Sequence, residues 1–278
     1  MSIIIYNGNP LSSNQPCIKH NDRGFTLGHG LFETILINKG AMPAFDYHWH
    51  RLETSAPLIS MNLPFSKEAL TEMLLFLIAE NNLEETIAGA RITITAGESI
   101  RGIFPEARPE PNFTIFAFAF AHPAKLAYSA RIVSTRKNEK TIAARIKSIS
   151  YLDNILAKQE VMMQGFDEAI LLNTGSNVAD GAITNVFMVK NGQIYTPPIA
   201  DGALPGVIRN ILLKELTVKF SIIEKSITPA ELLSADEVFL TNALIGIQPV
   251  SQINDKKYQC FSVGTSVAFA LRELKDYI

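Results

Sequence analysis

Lys147 is the residue of this 278-residue chain whose setting most suggests covalent chemistry. It stands in ARIKSIS, residues 144–150, between Ile146 and Ile149. Directly after it, Leu152, Ile155, Leu156, Met162 and Met163 fall on one side of a helical repeat, with Asp153, Lys158 and Glu160 elsewhere. Ser150 with Asp153 fits a Ser-x-x-Asp helix start, and Gly165 suits the left-handed position beyond a helix end. The positive end of the helix dipole and the apolar wall both disfavour an ammonium at Lys147. The spacing therefore predicts an amine of lowered pKa, nucleophilic enough for Schiff-base chemistry. Most lysines are simply solvated, so this reading needs support from other groups.

Two other features supply it. Leu204-Pro205-Gly206 leads into a helix predicted over Val207–Leu216, whose first backbone N–H groups have no intrahelical acceptor and can receive a phosphate. The Gly- and Pro-rich loop AGESIRGIFPEARPEP carries Arg101 and Arg108, which could hold a carboxylate. Several other chemistries find no motif. His48 and His50 face different sides of a predicted helix and would not share a metal, so no metal site is expected. There is no Gly-x-Ser-x-Gly elbow and no Gly-x-x-x-x-Gly-Lys-Ser/Thr loop, and Gly24, Gly28 and Gly30 precede a strand rather than a helix. An activated lysine, an anion-binding helix start and loop arginines together suggest an aldehyde cofactor bearing a phosphate, namely pyridoxal 5'-phosphate.

The elements that must position these groups can be read in order. Strands are predicted at Ile3–Tyr6, Leu31–Ile37, Ala90–Thr95 and Phe113–Phe120, with a helix capped by Asp46 running toward Ile59 and another from Ser66 to Glu80. HPAKLA and its neighbours, residues 121–128, read as a linker between an N-terminal domain, 1–120, and a C-terminal domain, 129–278. The second domain is expected to hold strands at Ala130–Thr135, Glu168–Leu172, Asn185–Lys190, Ile194–Thr196, Glu237–Thr241 and Ile247–Ile253. It should also hold a helix opened by the Thr228-Pro229-Ala230-Glu231 capping box and a final helix over Ser262–Tyr277. With 47% hydrophobic residues the chain can bury a large core, and a formal net charge of -2 gives no case for nucleic acid or anionic membrane. Cys17 and Cys260, alone and far apart, make no disulfide framework and fit a reducing cytoplasm. Neither a signal peptide nor a membrane span is expected, because the early apolar run stops at Tyr6 and the longer ones are broken by charges.

NDRGFTLGHGLFET, HRL at 50–52, RIKSISYLDNILAKQE with GFDEAILL, NVADGAITNVFMVKNGQIYTPP, LPGVIRN and ADEVFLTNALIGIQPV resemble, in order, the motifs of the fold-type IV pyridoxal phosphate enzymes. These comprise branched-chain aminotransferases, D-amino acid transaminases and 4-amino-4-deoxychorismate lyases. The resemblance implies a two-domain α/β (α+β) fold like that of D-amino acid aminotransferase. A small N-terminal α/β domain would precede a larger, mixed α/β, barrel-like C-terminal domain, with the cofactor between them and usually a homodimer. It implies that Lys147 bonds to the cofactor and moves protons, and that Arg51, Val207, Ile208, Asn242 and Ala243 serve the phosphate. Tyr151 would lie near the lysine, and Asp180 would meet the pyridine nitrogen where the family has glutamate. His29 replaces the aspartate of the Gly-Asp-Gly turn and, with Arg101, is expected on the substrate side, toward a small carboxylate- or amine-bearing molecule. TNALIGIQPV is more similar to the lyase form than to the transaminase forms. Arg101-Gly102 resembles the lyase Arg-Gly-Tyr segment, but the same arginine also aligns with a carboxylate-trapping arginine of the transaminases, so both activities stay open.

Overall fold

Strand order decides where the candidate lysine is held. In the computed structural model, which describes residues 2–15, 17–100, 102–104 and 109–274, the chain folds as two compact units: Met1–Ala121 with Ile146–Ser150, and His122–Arg145 with Tyr151–Ile278. Ile146–Ser150, which the sequence places inside the C-terminal domain, thus belongs to the first unit.

The first unit contains β1 (Ile3–Tyr6), β2 (Asn9–Ser12), α1 (Arg23–Leu27), β3 (Gly30–Asn38), α2 (Phe45–Ser55), α3 (Lys67–Glu80), β4 (Ile87–Thr95) and β5 (Asn112–Ala119). Its strands form a sheet in the order β2-β1-β5-β4-β3, all antiparallel. Leu31, Ile35 and Ile37 of β3, Ile92 and Ile94 of β4, and Leu70, Leu74, Leu77 and Ile78 of α3 are fully or nearly fully buried in one core. The Ser66 hydroxyl caps α3 by accepting from Ala69 N, as the sequence predicts. Asp46 does not cap α2. The helix begins two residues earlier, with Ala44 in the left-handed conformation at its N-cap, and Asp46 instead pairs with Lys67 at 2.7 Å.

The second unit contains β6 (Tyr128–Lys137), α4 (Leu152–Met162), β7 (Glu168–Asn173), β8 (Val178–Gly181), β9 (Asn185–Lys190), β10 (Gln193–Thr196), α5 (Val207–Glu215), β11 (Ile222–Glu224), α6 (Pro229–Leu233), β12 (Glu237–Asn242), β13 (Gly246–Ile253), β14 (Lys256–Lys257) and α7 (Ser262–Arg272). They build one mixed sheet, β11-β10-β9-β12-β13-β6-β7-β8 with β14 on β13, in which β6 runs parallel to both neighbours. Ile170, Val186, Val238, Leu240 and Val250 pack its core. The Thr228–Glu231 capping box forms as expected.

Helix α4 departs from expectation at its start and on its face. It begins at Leu152 with Tyr151 as an uncapped N-cap, because the Ser150 hydroxyl donates to the Gly28 carbonyl at 2.9 Å. Its buried residues are Ala157 and Val161, whereas Leu152, Ile155, Leu156, Met162 and Met163 are exposed. The small residues of this helix face β6 and β7, and its long apolar stripe looks outward, the reverse of the periodicity argument. Among the described residues no helix is long and apolar enough to cross a membrane, and no group of three or more His, Cys, Asp or Glu could hold a metal ion.

Candidate active site

In the first unit, β3 is the edge strand, and residues 146–150 lie along its open side. Phe32 N donates to Lys147 O at 2.9 Å, Ile149 N donates to Gly30 O at 3.1 Å, and Leu31 bridges Ser148. This close approach needs Gly30: a Cβ there would meet Ile94 O at 2.2 Å and the Ile149 side chain at 2.9 Å. Ile146 is buried in the core of the unit and anchors the strap, while Lys147 is half-buried. The Lys147 Nζ sits 4.2 Å from the centre of the Phe32 ring. The apolar wall was expected from Ile146 and Ile149; the apolar group that lies beside the amine is Phe32.

One residue past Phe32, Glu33 is completely buried. Arg51 from α2 grips it with both edges of its fork, Nε to Oε1 and Nη2 to Oε2, each at 2.7 Å, and His48 Nδ1 lies 2.7 Å from Oε2. Burial alone would raise the Glu33 carboxyl, but the Arg51 charge and the His48 and Arg51 hydrogen bonds hold it well below the usual carboxylate range. His48 moves down: desolvation, aided by the Arg51 and Lys147 charges, outweighs the pull of Glu33. Glu33 is thus the anion, Arg51 the cation, and His48 a neutral ring donating Nδ1–H. The guanidinium of Arg51, which the resemblance puts on the phosphate, is oriented by Glu33. Sequence reasoning passed over Glu33, although a lone charge inside an apolar strand is a signal that a buried partner must exist.

His29 is expected on the substrate side. Its Nδ1 accepts from Arg23 Nε at 3.3 Å and its Nε2 lies 3.0 Å from Ile59 O, so both ring nitrogens are spent on the protein. Arg101 and Arg108 lie outside the described residues.

In the second unit, Asp180 sits on β8, a short strand that is not among those expected from the sequence. The carboxylate is 4% exposed. Its Oδ1 accepts from Asn185 Nδ2 at 3.0 Å, and its Oδ2 from Leu204 N at 2.9 Å and Lys137 Nζ at 3.3 Å. Burial raises the Asp180 pKa, and Lys137, the Leu204 N–H and Arg209 oppose that rise without reversing it. Neither Lys137 nor Asn185 was expected at the site; the sequence gives no spacing rule that brings a residue from the end of β6 to β8.

Helix α5 starts at Gly206 with no side-chain cap, so the helix itself offers no acceptor to the N–H groups of Val207 and Ile208. A Cβ on Gly206 would stand 1.8 Å from Asn185 Oδ1, which ties this helix start to the residue that orients Asp180. Between β12 and β13, Asn242 Oδ1 accepts from Leu244 N at 3.0 Å and Ile245 N at 2.9 Å and so closes the turn that carries Ala243. The preceding Thr241 hydroxyl is a buried atom without a hydrogen-bond partner. Tyr151 donates its hydroxyl to Ala182 O at 3.1 Å, and Asn154 Nδ2 donates to the same carbonyl at 2.7 Å. Taken unit by unit, the donors match parts of a phosphorylated pyridine aldehyde: the first unit offers an amine and a guanidinium, and the second an uncapped helix start and a buried carboxylate.

The chain matches the model of the amino-transferase class IV family over residues 30–253. It is 30% identical to the aminodeoxychorismate lyase of Bacillus subtilis strain 168, over 99% of this chain and 96% of that protein. It is also 30% identical to the D-alanine aminotransferase of Bacillus licheniformis, over 90% of this chain and 88% of that protein. Among solved structures, the branched-chain amino acid aminotransferase of Escherichia coli superposes with a TM-score of 0.91 at 25% identity, covering 98% of this chain and 94% of that one.

Proposed function

Since this chain belongs to the class IV aminotransferase family, a family of pyridoxal phosphate-dependent lyases and aminotransferases, we propose that it is an aminodeoxychorismate lyase, turning 4-amino-4-deoxychorismate into 4-aminobenzoate and pyruvate. The observation that carries the lyase reading is the turn after β12, where Asn242 closes an Asn-Ala-Leu segment and Ala243 presents a methyl in place of a hydroxyl. That turn suits a flat, six-membered carbocycle better than a hydroxyl-lined one. The similarity to the Bacillus subtilis lyase along nearly the whole chain supports it. The equal identity to a D-alanine aminotransferase favours the second reading, amino-group transfer to a 2-oxo acid.

Each residue has a proposed task. Arg51, oriented by Glu33, and the Val207 and Ile208 N–H groups take the phosphate, with the Asn242–Ala243 turn beside it. When bound, the cofactor supplies an aldehyde that condenses with an amine and a ring that withdraws electrons. Lys147 Nζ would hold the cofactor through its aldehyde in the resting protein and would act as the base that takes the proton from the ring carbon of the substrate that bears nitrogen. The C–O bond to the enolpyruvyl group on the neighbouring ring carbon then breaks, the ring becomes aromatic, and the departing group gains a proton to become pyruvate. Asp180 holds a proton at the pyridine nitrogen, and the Tyr151 hydroxyl, fixed by Ala182 O, is the neighbouring donor. The exposed apolar residues Leu152, Ile155 and Leu156 support a homodimer, and the two free cysteines, Cys17 and Cys260, suit a cytoplasmic protein.

Purified protein loaded with pyridoxal phosphate is to be offered 4-amino-4-deoxychorismate and, separately, D-alanine or L-leucine with 2-oxoglutarate. The lyase reading expects 4-aminobenzoate and pyruvate in equal amounts; glutamate alone would overturn it in favour of transfer. Lys147→Ala should lose at least about a thousandfold in rate, as expected of a residue that is both nucleophile and base. Borohydride should then fix no cofactor to the chain.

A further inference from the structure

Lys137, the cation beside Asp180, has no part in the reading above. Lys137 ends β6, its side chain is 15% exposed against 5% for Asp180, and its ammonium lies 3.3 Å from Oδ2. That distance is long for a charge-assisted bond, and Oδ2 also accepts the shorter bond from Leu204 N, so the carboxylate is shared rather than captured. Other charges face Asp180: Arg209 of α5 counts among the cations, and Glu168 on the neighbouring β7 is the buried anion coupled to it. Asn185 from β9 fixes the other oxygen. The two shorter of the bonds that orient Asp180 come from neutral donors, Asn185 and Leu204 N, so removing Lys137 would leave the carboxylate in place with its charge unbalanced.

We propose that Lys137 is a positioning residue that competes with the cofactor's ring nitrogen for Asp180, so that the ring carries less positive charge than an unshared carboxylate would maintain. The proposal rests on the assignment of Asp180 to that nitrogen. A less protonated ring withdraws electrons less strongly. It is then better matched to a carbanion drained at once by loss of a neighbouring leaving group than to one held for reprotonation elsewhere. The ammonium thereby biases the site toward elimination over amino-group transfer.

The test uses the full-length protein loaded with pyridoxal phosphate labelled with 15N in the ring, whose chemical shift reports protonation directly, and compares wild type with Lys137→Met, Lys137→Gln and Lys137→Arg. Loss of the cation should raise the ratio of protonated to neutral ring about tenfold at a given pH, the effect of one nearby charge in a partly screened site. Lys137→Arg should stay near wild type. A 15N shift that is the same in wild type, Lys137→Met and Lys137→Gln overturns the proposal while leaving the cofactor assignment intact. If the label binds but its shift is insensitive to Asp180→Asn, the assignment of Asp180 and this proposal fall together. Using two charge-removing variants keeps the comparison available if one does not fold.

Discussion

Replacing Glu33 with glutamine keeps the shape of the side chain and deletes the charge that Arg51 and His48 are built around. In the native unit the three groups are nearly sealed from water, at 1% exposure for the Glu33 side chain, 1% for His48 and 8% for Arg51. Each charge has lost its hydration, and the two short Arg51 bonds and the His48 bond replace it. Glu33→Gln leaves the guanidinium buried without an anion, and breaking a buried pair in this way costs about 3–5 kcal/mol. The single tryptophan, Trp49, packs against the core of this same unit and lies 6.5 Å from Phe65, so its fluorescence reports this unit's unfolding. With a urea dependence of about 2 kcal/mol per molar, the midpoint should fall by about 1.5–2.5 M. The pH dependence has a definite sign. The native Glu33 carboxyl lies below its unfolded value of about 4.3, so its contribution is fully present above that pH and fades as pH falls below it. The gap between wild type and variant should therefore be constant from pH 6 to 8 and narrow under acid. A midpoint change below about 0.5 M at pH 7, or a gap that widens on acidification, would refute the account of the cluster. The same variant should bind pyridoxal phosphate at least about tenfold more weakly, because the guanidinium loses the anchor that sets its direction.

Three further outcomes are expected. His48, whose native pKa lies below the ordinary value because burial disfavours the imidazolium, should contribute stability that is complete above about pH 6.5 and declines below it. A His48→Gln variant followed by Trp49 fluorescence should lack that decline. Asp180 is shifted the other way: with its native pKa raised by burial, the apoprotein should lose stability as pH rises from about 4, and Asp180→Asn should flatten that slope in chemical unfolding of the second unit followed by circular dichroism. Gly206→Ala places a Cβ 1.8 Å from Asn185 Oδ1, so it should displace Asn185 from both Asp180 and Leu204 O and weaken cofactor binding at least about tenfold in an absorbance titration, while leaving the Trp49 transition unchanged.

The elements that were legible are those whose signals are local. Ser66 caps α3 and Thr228 with Glu231 opens α6 because both patterns act within a few residues, and the Asn185–Lys190 strand is bounded by its own turn. The face of α4 was not legible, because helical periodicity tells which residues share a side but not which side meets the sheet, and here Ala157 and Val161 win by fitting closely against β6 and β7. For the candidate site, Lys147, Arg51 and the α5 start were proposed from motif and helix-end chemistry. What surrounds them was not, because Glu33, Lys137 and Asn185 meet their partners through strand pairing and crossovers of the second and first sheets, which single-residue chemistry does not encode. The surroundings of His29 were hidden for the same reason: the hydrogen bonds that occupy its ring come from Arg23 and the carbonyl of Ile59.

The strap that carries Lys147 has a consequence for how the molecule is made. During synthesis, residues 1–121 leave the ribosome before residues 146–150 do, so the outer margin of β3 near Gly30 and Phe32 emerges without the backbone that later closes it. A nascent or truncated product ending before Ser150 would display that open margin to other chains. The amine arrives on the segment that seals it, so the chain gains its nucleophile in the same event that removes its sticky edge.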